Sequence, residues 1–284
     1  MPVSEEVNGR THRYNADATI LSGHLRLPLV QKIEPQAHAH LKEEGGYLSE
    51  RAENYRLESV ISIRSAYTHV AGNRSTKPGQ GWTTISTSVV EGLNVMEIVT
   101  ADRIISQIIT EHPLEGYVPT VSFLGSRFEN LRIAGYPVDL DLDLNILGPK
   151  PEKDAPYSRH EGPVGRIRSQ YQRILGHRDL PADLGEQYNL LNATLGNAET
   201  LECSLVNQAS GRYPGLTFGH KIRVQDFGEI TLAKLNVEHE DPHPQSGKHR
   251  KTTVSLTMID FNFGCAIDGG VSTGTGRANG GTIP

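Results

Sequence analysis

Leucine and aspartate alternate through Val138-Asp139-Leu140-Asp141-Leu142-Asp143-Leu144-Asn145-Ile146. An extended chain sends successive side chains to opposite faces, so this stretch predicts a β-strand. Its leucine face belongs on a core and its carboxylate face toward water or a basic partner. Other period-two runs follow the same logic. Leu25, Leu27 and Leu29 predict a strand over 19–29, and Leu57, Ile61, Ile63 and Tyr67 one over 55–71. The polar stretch 31–54 between them, with Pro35, Gly45 and Gly46, reads as a long excursion. Further short strands are predicted at 82–90, 94–100, 104–111, 120–123, 127–134 and 138–146, punctuated by Gly92, Pro113, Gly116, Pro119, Gly125, Gly135 and Pro137. In 101–112, Ile104, Ile105, Ile108 and Ile109 also fit one helical face, but β-branched crowding favours strand.

Residues 150–197 differ. Val164, Ile167, Tyr171 and Ile174 recur at helical spacing, ending at Gly176, and a second helix is expected over 183–191. Strand character returns at 200–208, 220–225, 229–238 and 252–263, before a Gly-, Ser- and Thr-rich tail over 269–284, expected as a mobile end or an irregular pinned strand. The pattern predicts a mainly β chain: an antiparallel sandwich-like or barrel-like domain with a small helical insertion. Residues 1–18 are expected to be a mobile segment. Residues 19–284 form one domain, because about 48 inserted residues rarely carry a core alone.

Several segments resemble the choice-of-anchor P family. Ser88-Val-Val-Glu-Gly-Leu-Asn-Val followed by Ile98-Val-Thr-Ala-Asp102 is similar to its Val-x-Gly-Leu-Asn-Val and Leu-Val-Thr-Ala-Asp elements. Phe128-Glu-Asn-Leu-Arg-Ile-Ala-Gly-Tyr-Pro-Val138 resembles its strand-turn, and Gly228-Glu-Ile-Thr-Leu-Ala-Lys-Leu-Asn-Val237 its late strand. The resemblance covers about 55–281 without the insertion. It implies a β-rich, exported bacterial protein with no established catalytic residues. The chain departs from the family in its basic helical insertion and in lacking a signal peptide or sorting tail.

Composition narrows the function classes. A hydrophobic fraction of 36% with 29 glycines among 284 residues lies in the globular range. A net charge of -5 argues against bulk nucleic-acid or anionic-membrane binding. No apolar run reaches the roughly 20 residues of a membrane-spanning helix, so no membrane insertion is expected. The polar first 18 residues carry no secretory h-region, which makes the cytoplasm the default, or the cell surface if a signal preceded them.

Candidate chemistry centres on charge. Asp139, Asp141 and Asp143 raise a calcium site, but alternate strand residues are about 6.8 Å apart and three in line do not converge. Lys221 and Arg223 share the i, i+2 spacing, so cross-strand pairing with Asp141 and Asp143 is the preferred expectation. His239, His243 and His249, near Glu238, Glu240 and Asp241, are the zinc candidate, and Asp139 and Asp141 complete the candidate metal ligands. His38 and His40 share a strand face. Cys203 and Cys265 read as buried small hydrophobes. The insertion carries Arg159, Arg166, Arg168, Arg173 and Arg178, and Arg166 and Arg173 are candidates for docking onto an acidic face of another copy. There is no Gly-x-Ser-x-Gly, phosphate-loop or dinucleotide motif. The leading expectation is a non-enzymatic structural or interaction protein that self-associates as a homo-oligomer and needs no cofactor. The alternatives are a carbohydrate- or calcium-binding module, with Trp82, Tyr67, Tyr136 and Tyr213 for stacking, and a metal-dependent hydrolase using the loop from His239 to His249.

Overall fold

The computed structural model describes residues 6–7, 10–27, 30–241, 250–264 and 268–283. In chain order the strands before the insertion are β1 (Glu6–Val7), β2 (Arg10–Leu27), β3 (Gln31–Gln36), β4 (Ala39–His40), β5 (Gly46–Leu57), β6 (Ile61–Arg74), β7 (Gln80–Val95), β8 (Val99–Pro113), β9 (Thr120–Ser122), β10 (Arg127–Glu129), β11 (Arg132–Ile133), β12 (Tyr136–Pro137) and β13 (Asp139–Leu142). Helices α1 (Glu161–Leu175) and α2 (Ala182–Thr194) follow. The chain closes with β14 (Thr200–Ser204), β15 (Val206–Ser210), β16 (Leu216–Phe218), β17 (Lys221–Val224), β18 (Gly228–Glu240), β19 (Lys251–Phe263) and β20 (Asp268–Ile283).

Two antiparallel sheets form a sandwich-like arrangement and neither closes into a barrel among the described residues. The larger has ten strands, ordered β1-β2-β20-β19-β18-β17-β16, with β3 and β4 also on β2 and β14 on β18. The other has eight, ordered β12-β11-β8-β7-β6-β5, with β9 and β10 on β8. A third, two-stranded sheet joins β13 to β15.

The inner faces fill by alternation. Ile104 and Ile108 of β8 are buried against Leu232, Leu256 and Met258 of the other sheet's strands in one core cluster. At the far end, small residues replace large ones. Ala16 and Ala18 of β2 lie near buried Trp82, and Ser86, Ser88 and Ser106 are fully buried across the gap. Ser86 Oγ donates to the Asp17 carbonyl at 2.6 Å, tying the sheets together. The Gly-rich tail belongs to this layer. A Cβ on Gly276 would sit 3.0 Å from Ser86 Oγ, and one on Gly280 2.8 Å from His112 Nε2. Glycine is therefore used here for close approach, and the tail is a full strand.

Four expectations shift. The first long strand begins at Arg10, not 19, because His12, Tyr14, Ala16 and Ala18 already alternate inward; residues from Arg10 onward are therefore strand, not a mobile segment. The single strand over 55–71 is a hairpin, turning at Glu58 with φ +46°. The excursion 31–54 contains most of β5. The stretch 82–90 lies within β7, and 94–100 is the hairpin from β7 into β8, with Met96 and Glu97 as the central residues of its turn and Val95 paired with Val99.

That turn yields a prediction. Met96 and Glu97 have φ of +55° and +58°, as a type I′ turn demands, and Ile98 N–H donates to the Val95 carbonyl at 3.0 Å. Side chains are strained in this region and glycine is not. Replacing exposed Glu97 by Gly is expected to stabilise the fold by about 0.5–1 kcal/mol, read as a higher melting temperature. A lower melting temperature would contradict it.

The insertion folds on the apolar stripe expected of it. Val164, Ile167, Tyr171 and Ile174 of α1 are buried, and Gly176 N–H donates to the Gln172 carbonyl at the helix end. Gly176 keeps φ at -78°, so its left-handed freedom is not used. Buried Gln170 accepts from Ser204 N–H at 3.0 Å and donates to the Ser204 carbonyl at 2.9 Å. These bonds dock the insertion on β14.

Candidate functional site

The free edges of the two sheets are unequal. Most edge strands have two to six residues, and both β3 and β12 contain a proline. Strand β14 is further covered by Gln170 and by Tyr171, whose hydroxyl donates to the Glu202 carbonyl. Strand β5 is the exception. It runs twelve residues, Gly46–Leu57, is exposed along most of its length, and ends the eight-stranded sheet. It contains neither Lys nor Pro, the residues that commonly blunt such edges. Only β6 pairs with it among the described residues. An unpaired row of backbone N–H and C=O groups is a template for another strand.

Its side chains are ordered by the sheet behind it. Arg51 stands opposite Tyr67, and Glu53 opposite Ser65, on the face away from the sandwich interior. Arg51 Nη2 and Glu53 Oε1 are 2.9 Å apart, both well exposed. Ser65 Oγ donates to Glu91 Oε2 at 2.8 Å, and Arg103 Nε donates to Glu91 Oε1 at 2.9 Å. The Ser65 hydrogen bond, with Arg103, holds the Glu91 carboxyl below the usual carboxylate range. Tyr47, 69% exposed, has its ring centroid 4.8 Å from that of His69. Asn54, with φ +52°, ends the regular alternation of the strand.

The aspartate strand is placed differently from expectation. Leu140 and Leu142 pack against the main core while Asp139 and Asp141 are exposed. Asp141 lies opposite Gln208 of β15. Asp143 lies beyond the strand, where its Oδ1 accepts from Asn145 N–H at 2.9 Å. Pairing of Asp141 and Asp143 with Lys221 and Arg223 is therefore overturned: those cations sit on β17, in the ten-stranded sheet. Lys221 Nζ is 2.5 Å from Glu229 Oε1, and Arg223 Nε is 2.9 Å from Glu229 Oε2. Arg223 also holds Asp183 of α2, with Nη1 3.1 Å from Oδ1. Glu229 stands directly across the β17–β18 hairpin, a nearer partner than any on β13.

The other candidates separate. Arg166 Nε donates to the Ile146 carbonyl at 2.7 Å, so its guanidinium is turned inward. Arg173 remains exposed, with Nη2 3.2 Å from Asn207 Oδ1. His38 and His40 both contact Asp17 Oδ1, at 3.3 and 2.7 Å. His239 Nδ1 lies 3.1 Å from Thr252 Oγ1, and burial lowers its pKa. It lines a small cleft of about 60 Å³ with Asp154, Arg159, Glu199, Asp241 and Arg250. His243, His249 and Cys265 lie outside the described residues. No three His, Cys, Asp or Glu side chains are grouped to hold a metal among the described residues. Cys203 is buried, and burial pushes its thiol far up, away from thiolate chemistry. Of the stacking candidates, Trp82 and Tyr213 are buried, while exposed Tyr67 and Tyr136 stand on separate strands, β6 and β12. A shallow groove of about 620 Å³ is lined by Ile98, Ala134, Pro214, Leu216, Arg223 and Val224.

The β5 edge was the feature missed from sequence. Its one readable signal is the charged run Glu50-Arg51-Ala52-Glu53 inside a stretch without proline.

No curated protein and no solved structure matches the chain. One family model, described as "Domain of unknown function (DUF8256)", matches residues 12–238 of the 284. The match covers the eight-stranded sheet, the insertion and the ten-stranded sheet apart from β1, β19, β20 and the ends of β2 and β18, and the chain belongs to this DUF8256 family.

Proposed function

We propose that the chain is a non-enzymatic structural or interaction protein that associates with further copies of itself. The observation that carries this reading is the β5 edge: twelve residues long, exposed, and without the proline or lysine that protects such strands. Pairing across it would satisfy outward-facing backbone groups and extend the sheet.

The test is light scattering of the full chain over a concentration series. The expected result is reversible, concentration-dependent association. Successive strand N–H groups point to opposite edges, so of Ala52→Pro and Glu53→Pro one removes an N–H on the open edge while leaving the β6 ladder intact. That variant is expected to keep the wild-type melting temperature and to lose association. A wild-type chain that stays monomeric throughout the series would sink the proposal.

A further inference from the structure

We infer that the partner at the β5 edge is a second copy of this chain, paired antiparallel about a two-fold axis at Ala52, so that association closes at a dimer. The inference rests on the self-association proposed above and adds its register and its stopping point.

The argument starts from which faces can meet. A two-fold axis perpendicular to the sheet keeps the outer face of one copy continuous with the outer face of the other. Residues directly opposite then share a face, which leaves only registers in which a residue lies on the axis and opposes itself. Three such registers use the middle of β5. An axis at Glu50 places Glu50 against its own copy. An axis at Arg51 places two guanidinium groups together. An axis at Ala52 places Arg51 opposite Glu53 of the second copy and Glu53 opposite its Arg51. Only the last pairs opposite charges twice, and directly opposed like charges are unfavourable.

The sheet behind the edge repeats this complementarity. The row through Glu53 continues by register through Ser65 and Glu91 to Arg103 and Glu129, an acid-rich line. The row through Arg51 continues through Tyr67, Val89 and Ile105 to Arg127, which carries only positive charge. With the axis at Ala52, the acidic row of one copy runs into the basic row of the other, and the reverse. Asn54 bounds the ladder, since its φ of +52° breaks the alternation, so pairing spans Glu50 to Asn54. Exposed Tyr47 and Leu48 then lie beside the partner's edge beyond Asn54. Because the same edge is used by both copies, the contact is self-complementary and leaves no second long edge among the described residues to propagate a fibre.

The experiment uses charge exchange in the full chain. Arg51→Glu sets carboxylates against carboxylates in the dimer, and Glu53→Arg sets guanidinium groups against each other. Each is expected to weaken self-association roughly tenfold or more. Mixing the two variants, or combining them as Arg51→Glu with Glu53→Arg in one chain, restores opposite-charge pairs and is expected to restore association. Ala52→Cys is expected to form a disulfide with itself under mild oxidation, because opposed Cα atoms about 4.5–5.5 Å apart fit a disulfide. Glu50→Cys is expected not to, being about 13 Å from its copy in this register. Single charge variants that associate like the wild type, or a double variant that stays dissociated, would overturn the register. If the edge-proline variant still abolishes association in that case, self-association through β5 stands and only the two-fold register falls. If the wild type itself stays monomeric, both fall.

Discussion

Lowering the pH from 7.5 to 5 is expected to remove about 6 kcal/mol of folding stability, about 2 kcal/mol for each of three buried histidines. His12, His112 and His220 are 3%, 1% and 4% exposed. Burial, with Lys150 nearby, pushes His112 down to about 4. Burial, with Lys221 and Lys234, pushes His220 down to about 3, and burial beside His112 pushes His12 down to about 2. In the unfolded chain each imidazole titrates near 6.5. Below that pH the unfolded chain binds protons that the folded chain refuses, so stability falls as pH falls. It is complete above about 6.5 and drops by about 1.4 kcal/mol per pH unit per ring until the folded rings themselves protonate, His112 first. Urea unfolding at a series of pH values measures the slope directly. His220→Phe is expected to reduce that slope by one proton, whatever the loss of the 3.0 Å contact between His220 Nε2 and the Tyr188 hydroxyl does at neutral pH. A total loss below that of one ring would show that the histidines reach water in the folded state.

Replacing Glu229 by Ala is expected to cost about 3–5 kcal/mol. Glu229 is the sole carboxylate that Lys221 touches among the described residues, and the Lys221 side chain is 9% exposed. Removing it strands a buried ammonium whose remaining contact is Thr231 Oγ1 at 3.3 Å. Arg223 would keep Asp183 only. Asp183→Asn makes the contrast: that carboxylate is 67% exposed, and its loss is expected to cost less than about 1 kcal/mol. Replacing Lys221 and Glu229 together by Met and Leu is expected to recover most of the loss, since a buried ion pair gains little over a packed apolar one. Denaturation midpoints of the three variants decide it; equal costs for Glu229→Ala and Asp183→Asn would refute the buried-pair account.

Local pattern carried the fold class further than it carried the site. Leu140 and Leu142 announce a strand because one face is buried, and the stripe Val164, Ile167, Tyr171 and Ile174 announces α1 for the same reason. Partners are another matter. The i, i+2 charges of β13 fit Lys221 and Arg223 on paper, but the chain turns back after Val224 and presents Glu229 directly opposite Arg223. Nothing in the spacing ranks those two options; topology does. Strand β5 was hidden because both its faces meet solvent, so it lacks the alternation that marks half-buried strands. The start of β2 was hidden because its inward residues are His12, Tyr14, Ala16 and Ala18, too small or too polar to read as a core. The tail glycines fit a mobile end or a pinned strand equally well from sequence; they are spacers in a strand, letting two sheets approach.

The pairing of β2 with β20 has a consequence in time. These strands form the longest ladder of the ten-stranded sheet among the described residues, yet lie roughly 240–270 positions apart, as in the pair Tyr14 and Gly280. The eight-stranded sheet needs nothing beyond Pro137. On a ribosome adding about 5–20 residues per second, that sheet can assemble on the order of 10 s before the partner of β2 exists. Through that interval the inner face of β2 can already pack on Val70 and Trp82, while its edge toward β20 waits unpaired. Contacts of such long sequence separation also slow refolding from denaturant. The late arrival of one glycine-rich strand therefore sets when β2 and β19 can be joined into one sheet.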